Sequence, residues 1–201
     1  PYRLDSGYLT QWETPIFESV VYKIDVKLLI KRGFLCPVVS NGGGVKIDVS
    51  KVKHKGGEFL DSALESLYMS KTVEIVADIV KKGIDRKAWL IFCVSIEHAE
   101  QVTNELISHG INAACYHSQS DNDYILDDFT HGRLKCLVNV NILTTGSNFP
   151  IADMCVLIRA TESTALYVQI VGRVMRLYPD KKNALLLDYG GNVLRHGCID
   201  D

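Results

Sequence analysis

The chain has 201 residues, 47% of them hydrophobic and 23% charged, with a net charge of -2 at neutral pH. That balance fits a folded globular chain with one sizeable domain and excludes a disordered, highly charged tail. It also excludes a protein that coats nucleic acid by bulk charge, while leaving room for a local basic groove.

Residues 1–70 read as irregular, punctuated by Thr14-Pro15, Gly33, Asn41-Gly42-Gly43-Gly44 and the basic run Lys51-Val52-Lys53-His54-Lys55-Gly56-Gly57. Within them, Val20-Val21-Tyr22 is expected to be a short strand, residues 26–31 a helical turn, and the basic run a solvated loop. Residues 58–69 place Phe59, Leu60, Ala63, Leu64, Leu67 and Tyr68 on one helical face. The pattern then becomes regular. Helices are expected over 71–82, 96–109, 123–130 and 165–175, with Gly83 and Gly110 as stops. Apolar runs over 88–94, 113–116, 136–140, 154–158 and 184–187 are expected strands, covered on both faces in a parallel sheet. Strands alternating with such helices predict right-handed βαβ units and a doubly wound α/β layer from about 71 to 190.

No apolar run approaches the roughly 20 residues needed to span a bilayer, and the opening Pro1-Tyr2-Arg3-Leu4-Asp5 does not resemble a signal peptide. A cytoplasmic protein without membrane partners is the expectation. The six cysteines are scattered without a C-x-x-C pair, so buried free thiols are expected rather than a disulfide framework or a metal site.

In an open α/β sheet, ligands sit where strands end. The expected strands are followed by Ser95, by His117 and Ser118, by Asn141 through Pro150, and by Arg159 and Thr161; the next helix carries Gln169 through Arg176. Hydroxyls, amides, a histidine and two arginines are thus expected to collect on one edge. Arg173 and Arg176, three apart on a helix, project from one face. Two adjacent guanidiniums repel unless each has its own carboxylate, such as Asp180, or an anion lies between them. Phosphate is the natural anion, since its oxygens match planar donors bidentately.

The order and spacing of these segments resemble the C-terminal motor domain of superfamily 2 helicases over about 120 residues. Leu90-Ile91-Phe92-Cys93-Val94-Ser95 looks like motif IV, Val138 through Pro150 like motif V, and Gln169-Ile170-Val171-Gly172-Arg173-Val174-Met175-Arg176 like motif VI. The resemblance implies a RecA-like doubly wound parallel sheet with helices on both faces, following a less regular connector. It implies that Arg173 and Arg176 act on the γ-phosphate of ATP, with Gly146, Asn148 and Gln169 shaping the nucleotide side. Ser95, His117, Thr144 and Thr145 would touch one nucleic-acid backbone. Motif V commonly carries an aspartate where this chain has Asn148, an amide without charge. ATP and Mg²⁺ would be held mainly by an N-terminal motor domain of the same chain, because neither a phosphate loop nor an acidic Mg²⁺ motif is found in these 201 residues. The opening Pro1-Tyr2-Arg3 looks like the end of motif III, making 1–70 a connector and 71–201 the motor domain. Such a fragment alone is expected not to hydrolyse ATP.

The segments Gly33-Phe34-Leu35-Cys36-Pro37 and Leu187 through Gly197 further resemble bacterial RadD-like DNA helicases, which implies DNA rather than RNA and a role in DNA repair. Two alternatives share these motifs: the translocase subunit of a restriction system, and a non-catalytic nucleic-acid-binding module. A Rossmann-type transferase would need a glycine-rich turn after the strand at 88–94, and Val94-Ser95-Ile96-Glu97 has none.

Overall fold

The computed structural model describes residues 2–3, 7–8, 14–15, 17–22, 24–120, 124–140 and 148–200. In chain order the elements are β1 (Tyr2–Arg3), β2 (Gly7–Tyr8), α1 (Val26–Lys31), β3 (Val38–Gly42), β4 (His54–Lys55), β5 (Glu58–Phe59), α2 (Asp61–Met69) and α3 (Thr72–Lys82). They continue with β6 (Trp89–Cys93), α4 (Ile96–Ser108), β7 (Ala113–Tyr116), α5 (Tyr124–Thr130), β8 (Cys136–Asn139), β9 (Met154–Ile158), α6 (Thr164–Gly172), β10 (Ala184–Asp188) and α7 (Asn192–His196).

Six strands form one sheet in the order β3-β10-β9-β6-β8-β7, and every neighbouring pair is parallel. Parallel strands need helical crossovers on both faces, so both faces must be apolar. The strands obey this with a period of two. Trp89, Ile91 and Cys93 of β6, Met154, Val156 and Ile158 of β9, and Leu185 and Leu187 of β10 pack into one layer with α2, α3 and α4. Leu90, Phe92, Cys155, Leu157 and Leu186 face the other layer, beneath α5 and α6. Each fully buried Leu, Ile or Phe contributes about 1.5–3 kcal/mol, so these two layers supply most of the driving force.

Helix ends follow the local sequence. The Ser95 hydroxyl caps α4 by accepting from the His98 N–H at 3.1 Å, and Ser163 caps α6 through the Leu166 N–H at 3.1 Å. α3 buries Ile75, Val76 and Ile79 on one stripe and ends at Gly83.

Four local expectations are corrected. Val20, Val21 and Tyr22 form no strand and are exposed, Val21 at 94%. Residues 38–42, read as irregular, form the edge strand β3, paired in register with β10 from Val38↔Ala184 to Gly42↔Asp188. Glu58 and Phe59 do not start a helix; they pair with His54 and Lys55 as an antiparallel hairpin, and α2 begins after Leu60. Finally, α6 ends at Gly172, so Arg173 is its C-cap. Beyond it the chain tightens, with i→i-3 bonds from the Arg173, Val174 and Met175 N–H groups.

Cys36, Cys93, Cys136 and Cys155 are buried thiols. Among the described residues no helix is long and apolar enough to cross a membrane.

Candidate functional site

The connections after β6 and β9 leave in opposite directions across the sheet: β6 leads towards β7 on one side, β9 towards β10 on the other. A crevice therefore opens at the carboxyl ends of these neighbouring strands. An open groove of about 620 Å³ lies there, lined by Glu58, Asp61, Ser62, Arg159, Ser163 and Leu166.

Two expected nucleic-acid contacts stand on this edge. Ser95 follows β6, and its hydroxyl both caps α4 and donates to the Glu65 carboxylate of α2. His117 follows β7, with its backbone N–H donating to Ser120 Oγ at 3.0 Å. Its Nδ1 accepts from the Gln119 N–H at 3.3 Å, and its Nε2 lies 4.0 Å from Glu100. Between β6 and β7 runs only β8, so the strands that lead to the two residues are two strand spacings apart, about 10 Å. Thr144, Thr145 and Gly146 lie outside the described residues.

The arginines stand elsewhere. α6 leaves the carboxyl edge after β9 and runs back along the sheet for nine residues, about 13 Å at 1.5 Å per residue. The chain just beyond it meets the segments that enter β3 and β9. The Met175 carbonyl accepts from the Cys36 N–H at 2.8 Å. Lys181 Nζ donates to the carbonyls of Pro150, Ala152 and Arg176 at 3.1, 2.6 and 2.9 Å. The single-edge expectation is therefore replaced by two sites: a carboxyl edge with Ser95 and His117, and an arginine corner at the far end of α6.

In that corner Arg173 is 8% exposed. Burial, and secondarily the charge of Arg176, lowers the affinity of its guanidinium for its proton. Arg176 Nη1 donates to the Asn148 side-chain oxygen, so the end of the expected motif V meets motif VI directly. Gln169, one turn before Arg173, is exposed; Val168 is 44% exposed; and a side chain at Gly172 would meet nothing within 4 Å. The corner thus presents two neighbouring guanidiniums beside an uncovered helix surface. Its chemistry suits a polyanion such as a triphosphate. Among the described residues no cluster of three or more His, Cys, Asp or Glu could hold a metal ion.

A set of positioning residues escaped the sequence reading. Glu58 accepts from the Thr161 hydroxyl at 2.9 Å and from the Glu162 N–H at 3.0 Å. The buried Asn192 accepts from the Thr161 N–H at 3.0 Å and donates to the Arg159 carbonyl at 2.8 Å. Asp188 holds Asn192 at 2.9 Å and the Val193 N–H at 2.8 Å. His196 Nε2 lies 2.8 Å from the Thr161 carbonyl. Together they fix the turn that launches α6, and hence the direction in which the arginines are carried. Gly190 allows this closeness, since a Cβ there would lie 2.1 Å from the Arg159 carbonyl oxygen. The signal available in sequence was the run Asp188-Tyr189-Gly190-Gly191-Asn192, polar and glycine-rich immediately after a buried strand.

Comparison with known proteins agrees with this fold. Residues 71–178 match the family model described as the helicase conserved C-terminal domain. A curated relative, the candidate ATP-dependent helicase IRC3 of Saccharomyces cerevisiae, is 28% identical over 185 residues, which is 88% of this chain and 27% of the yeast protein. Among solved structures, a fragment of a candidate HsdR subunit of a type I restriction enzyme from Vibrio vulnificus superposes with a TM-score of 0.71 at 24% identity. That match covers 90% of this chain and 37% of the other. The C-terminal domain of the DEAD-box protein Dbp5 superposes with a TM-score of 0.52 at 21% identity, over 62% and 75% of the two chains. These likenesses make the fold RecA-like. The chain spans about a third or less of the length of the first curated relatives it matches.

Proposed function

Since the chain belongs to the helicase conserved C-terminal domain family, we propose that it is the second motor domain of an ATP-dependent helicase or translocase acting on nucleic acid, DNA in particular. The observation that carries this reading is the arginine corner: Arg173 and Arg176 stand together just beyond α6, and Arg176 donates to the Asn148 side-chain oxygen. Guanidiniums match phosphate oxygens, and the uncovered surface at Gln169 and Gly172 leaves room for a second domain to deliver a triphosphate.

In this reading the residues divide the work. Arg173 and Arg176 bind the terminal phosphates of ATP and stabilise the charge that develops as the phosphoryl group leaves. Asn148 orients Arg176 through its side-chain oxygen; as an amide it holds the guanidinium without neutralising it. Gln169 and Gly146 shape the nucleotide side. Ser95, His117, Thr144 and Thr145 hold one strand by its phosphates, contacts that position without reading sequence. The triphosphate supplies the transferable phosphoryl group, and Mg²⁺ with the remaining phosphate contacts belongs to a first motor domain in the same polypeptide. Residues 1–70 then connect the two domains, the Leu187–Gly197 segment points to a RadD-like role in DNA repair, and the compartment is the cytoplasm.

The separation of the two sites suits a motor. α6 links the nucleotide corner to the carboxyl edge as a rigid strut, so closure of a partner domain on Arg173 would be transmitted to the strand-holding residues.

The test is ATP hydrolysis by the full-length protein with and without single-stranded DNA. DNA-stimulated hydrolysis is the expected result; DNA binding with no hydrolysis would favour a non-catalytic binding module. A restriction translocase has the same fold as this chain, as the HsdR likeness illustrates, and an ATP-dependent nuclease activity of the full-length protein would favour it.

A further inference from the structure

The basic run at 51–57 is not a featureless loop. β4 and β5 form a hairpin closed by the Leu60 N–H to the Lys53 carbonyl at 2.8 Å. Its two-residue turn is Gly56-Gly57, with φ of 62° and 82°, the pair of left-handed conformations that a tight hairpin requires. A Cβ at either glycine would meet nothing within 4 Å, so the tip projects uncovered. Its base is anchored on the carboxyl edge of the sheet. Glu58 holds residues 161 and 162 just after β9, and Glu65 of the following helix α2 holds Ser95 just after β6.

The charges are sorted. In the extended run leading to the hairpin, Val45, Ile47, Val49 and Val52 pack inward on the core, while Lys46, Lys51 and Lys53 are exposed. Three nearby acids are held within the protein: Glu58 by the Thr161 hydroxyl and Glu162 N–H, Glu162 by Arg195 at 3.1 Å and His54 at 3.5 Å, and Asp48 by the Ser50 N–H at 3.0 Å; Asp61, exposed at the start of α2, lines the groove with Arg159. The hairpin side presents exposed lysines and the bare backbone of two glycines, groups complementary to phosphodiesters. Backbone N–H groups and lysines are common partners of phosphate oxygens, and glycine lets a phosphate approach closely.

We propose that the β4–β5 hairpin is a further nucleic-acid contact: Lys51, Lys53 and the Gly56–Gly57 tip hold the phosphodiester backbone of the strand that crosses the carboxyl edge beside Ser95. This inference rests on the motor reading above. The hairpin extends the strand-binding surface past β9, onto the element that also anchors α6, so strand binding and the arginine corner share a support.

The experiment is salt-dependent binding of fluorescent 20-nucleotide DNA and RNA single strands to the full-length protein, by anisotropy. Wild type is compared with Lys51→Gln/Lys53→Gln, Lys51→Arg/Lys53→Arg, and Lys182→Gln at the opposite end of the sheet. Loss of two phosphate contacts reduces the slope of log K against log salt by about 1.4, at roughly 0.7 per contact for single strands, and weakens binding roughly tenfold at moderate salt. The arginine pair retains wild-type slope, and Lys182→Gln leaves it unaltered. The strand type that shows the larger loss identifies the substrate as DNA or RNA. An unchanged slope in the glutamine pair on both strands overturns the hairpin contact and leaves the motor reading standing. Failure of the wild type to bind either strand overturns both.

Discussion

Replacing Asn192 with leucine isolates the network that aims α6. Asn192 has no exposed surface, and its amide bridges three partners: the Thr161 N–H at 3.0 Å, the Arg159 carbonyl at 2.8 Å and the Asp188 carboxylate at 2.9 Å. Leucine fills nearly the same volume, so cavity formation contributes little. What it does is remove a partner from two buried backbone groups, at about 1–3 kcal/mol each. A loss of about 4 kcal/mol is therefore expected, a large part of the 5–15 kcal/mol by which domains of this size are stable. With a urea m-value of about 2.5 kcal/mol/M, the unfolding midpoint of the chain falls by about 1.6 M at constant slope. Urea titration followed by tryptophan fluorescence measures this directly, since Trp89 is fully buried in the core. A midpoint shift below about 0.4 M, equivalent to ~1 kcal/mol, would refute the claim that this amide holds the turn together.

Three further outcomes follow from the geometry. His98 is fully buried, neither ring nitrogen has a hydrogen-bond partner among the described residues, and burial lowers its pKa from 6.5 to about 4. Because the folded-state pKa lies below the unfolded one, its contribution is intact above pH 6.5 and is lost as pH falls towards 4, by about 3 kcal/mol in total. The variant His98→Phe, which keeps a ring against Tyr68, should lose that much less stability than wild type between pH 7 and pH 4; parallel pH profiles would count against the assignment. Gly190→Ala forces a methyl group against the Arg159 carbonyl, 2.1 Å away, and should destabilise the chain by about 2 kcal/mol or more, whereas Gly110→Ala, with nothing within 4 Å of the added carbon, meets only the cost of its positive φ. Equal melting temperatures for Gly190→Ala and wild type would remove the close approach from the account.

The central sheet was legible because buried parallel strands are continuous apolar runs: Trp89–Cys93, Met154–Ile158 and Ala184–Asp188 are buried at every position. β3 was not, because an edge strand reading Val-Val-Ser-Asn-Gly is mostly exposed and its partner, β10, lies about 146 residues away in sequence. The hairpin was hidden for a related reason. Phe59 and Leu60 continue the apolar period of α2, and only the pairing of Glu58 with Lys55 removes them from the helix. The arginine pair was found by its spacing, but its location was not, since helix direction relative to the strands decides which edge it occupies. Glu58 and Glu65 act through tertiary hydrogen bonds that no local pattern announces, whereas Asn192 stands in a polar, glycine-rich run directly after a buried strand.

The most direct measurement is nucleic-acid-stimulated ATP hydrolysis by the full-length protein carrying Arg173→Ala, with folding verified by thermal melting. The account predicts a fall in turnover of about 10³-fold or more, as for other arginines aimed at a transferring phosphoryl group, with strand binding retained. Turnover within a few-fold of wild type would contradict the assignment of the arginine corner to the nucleotide.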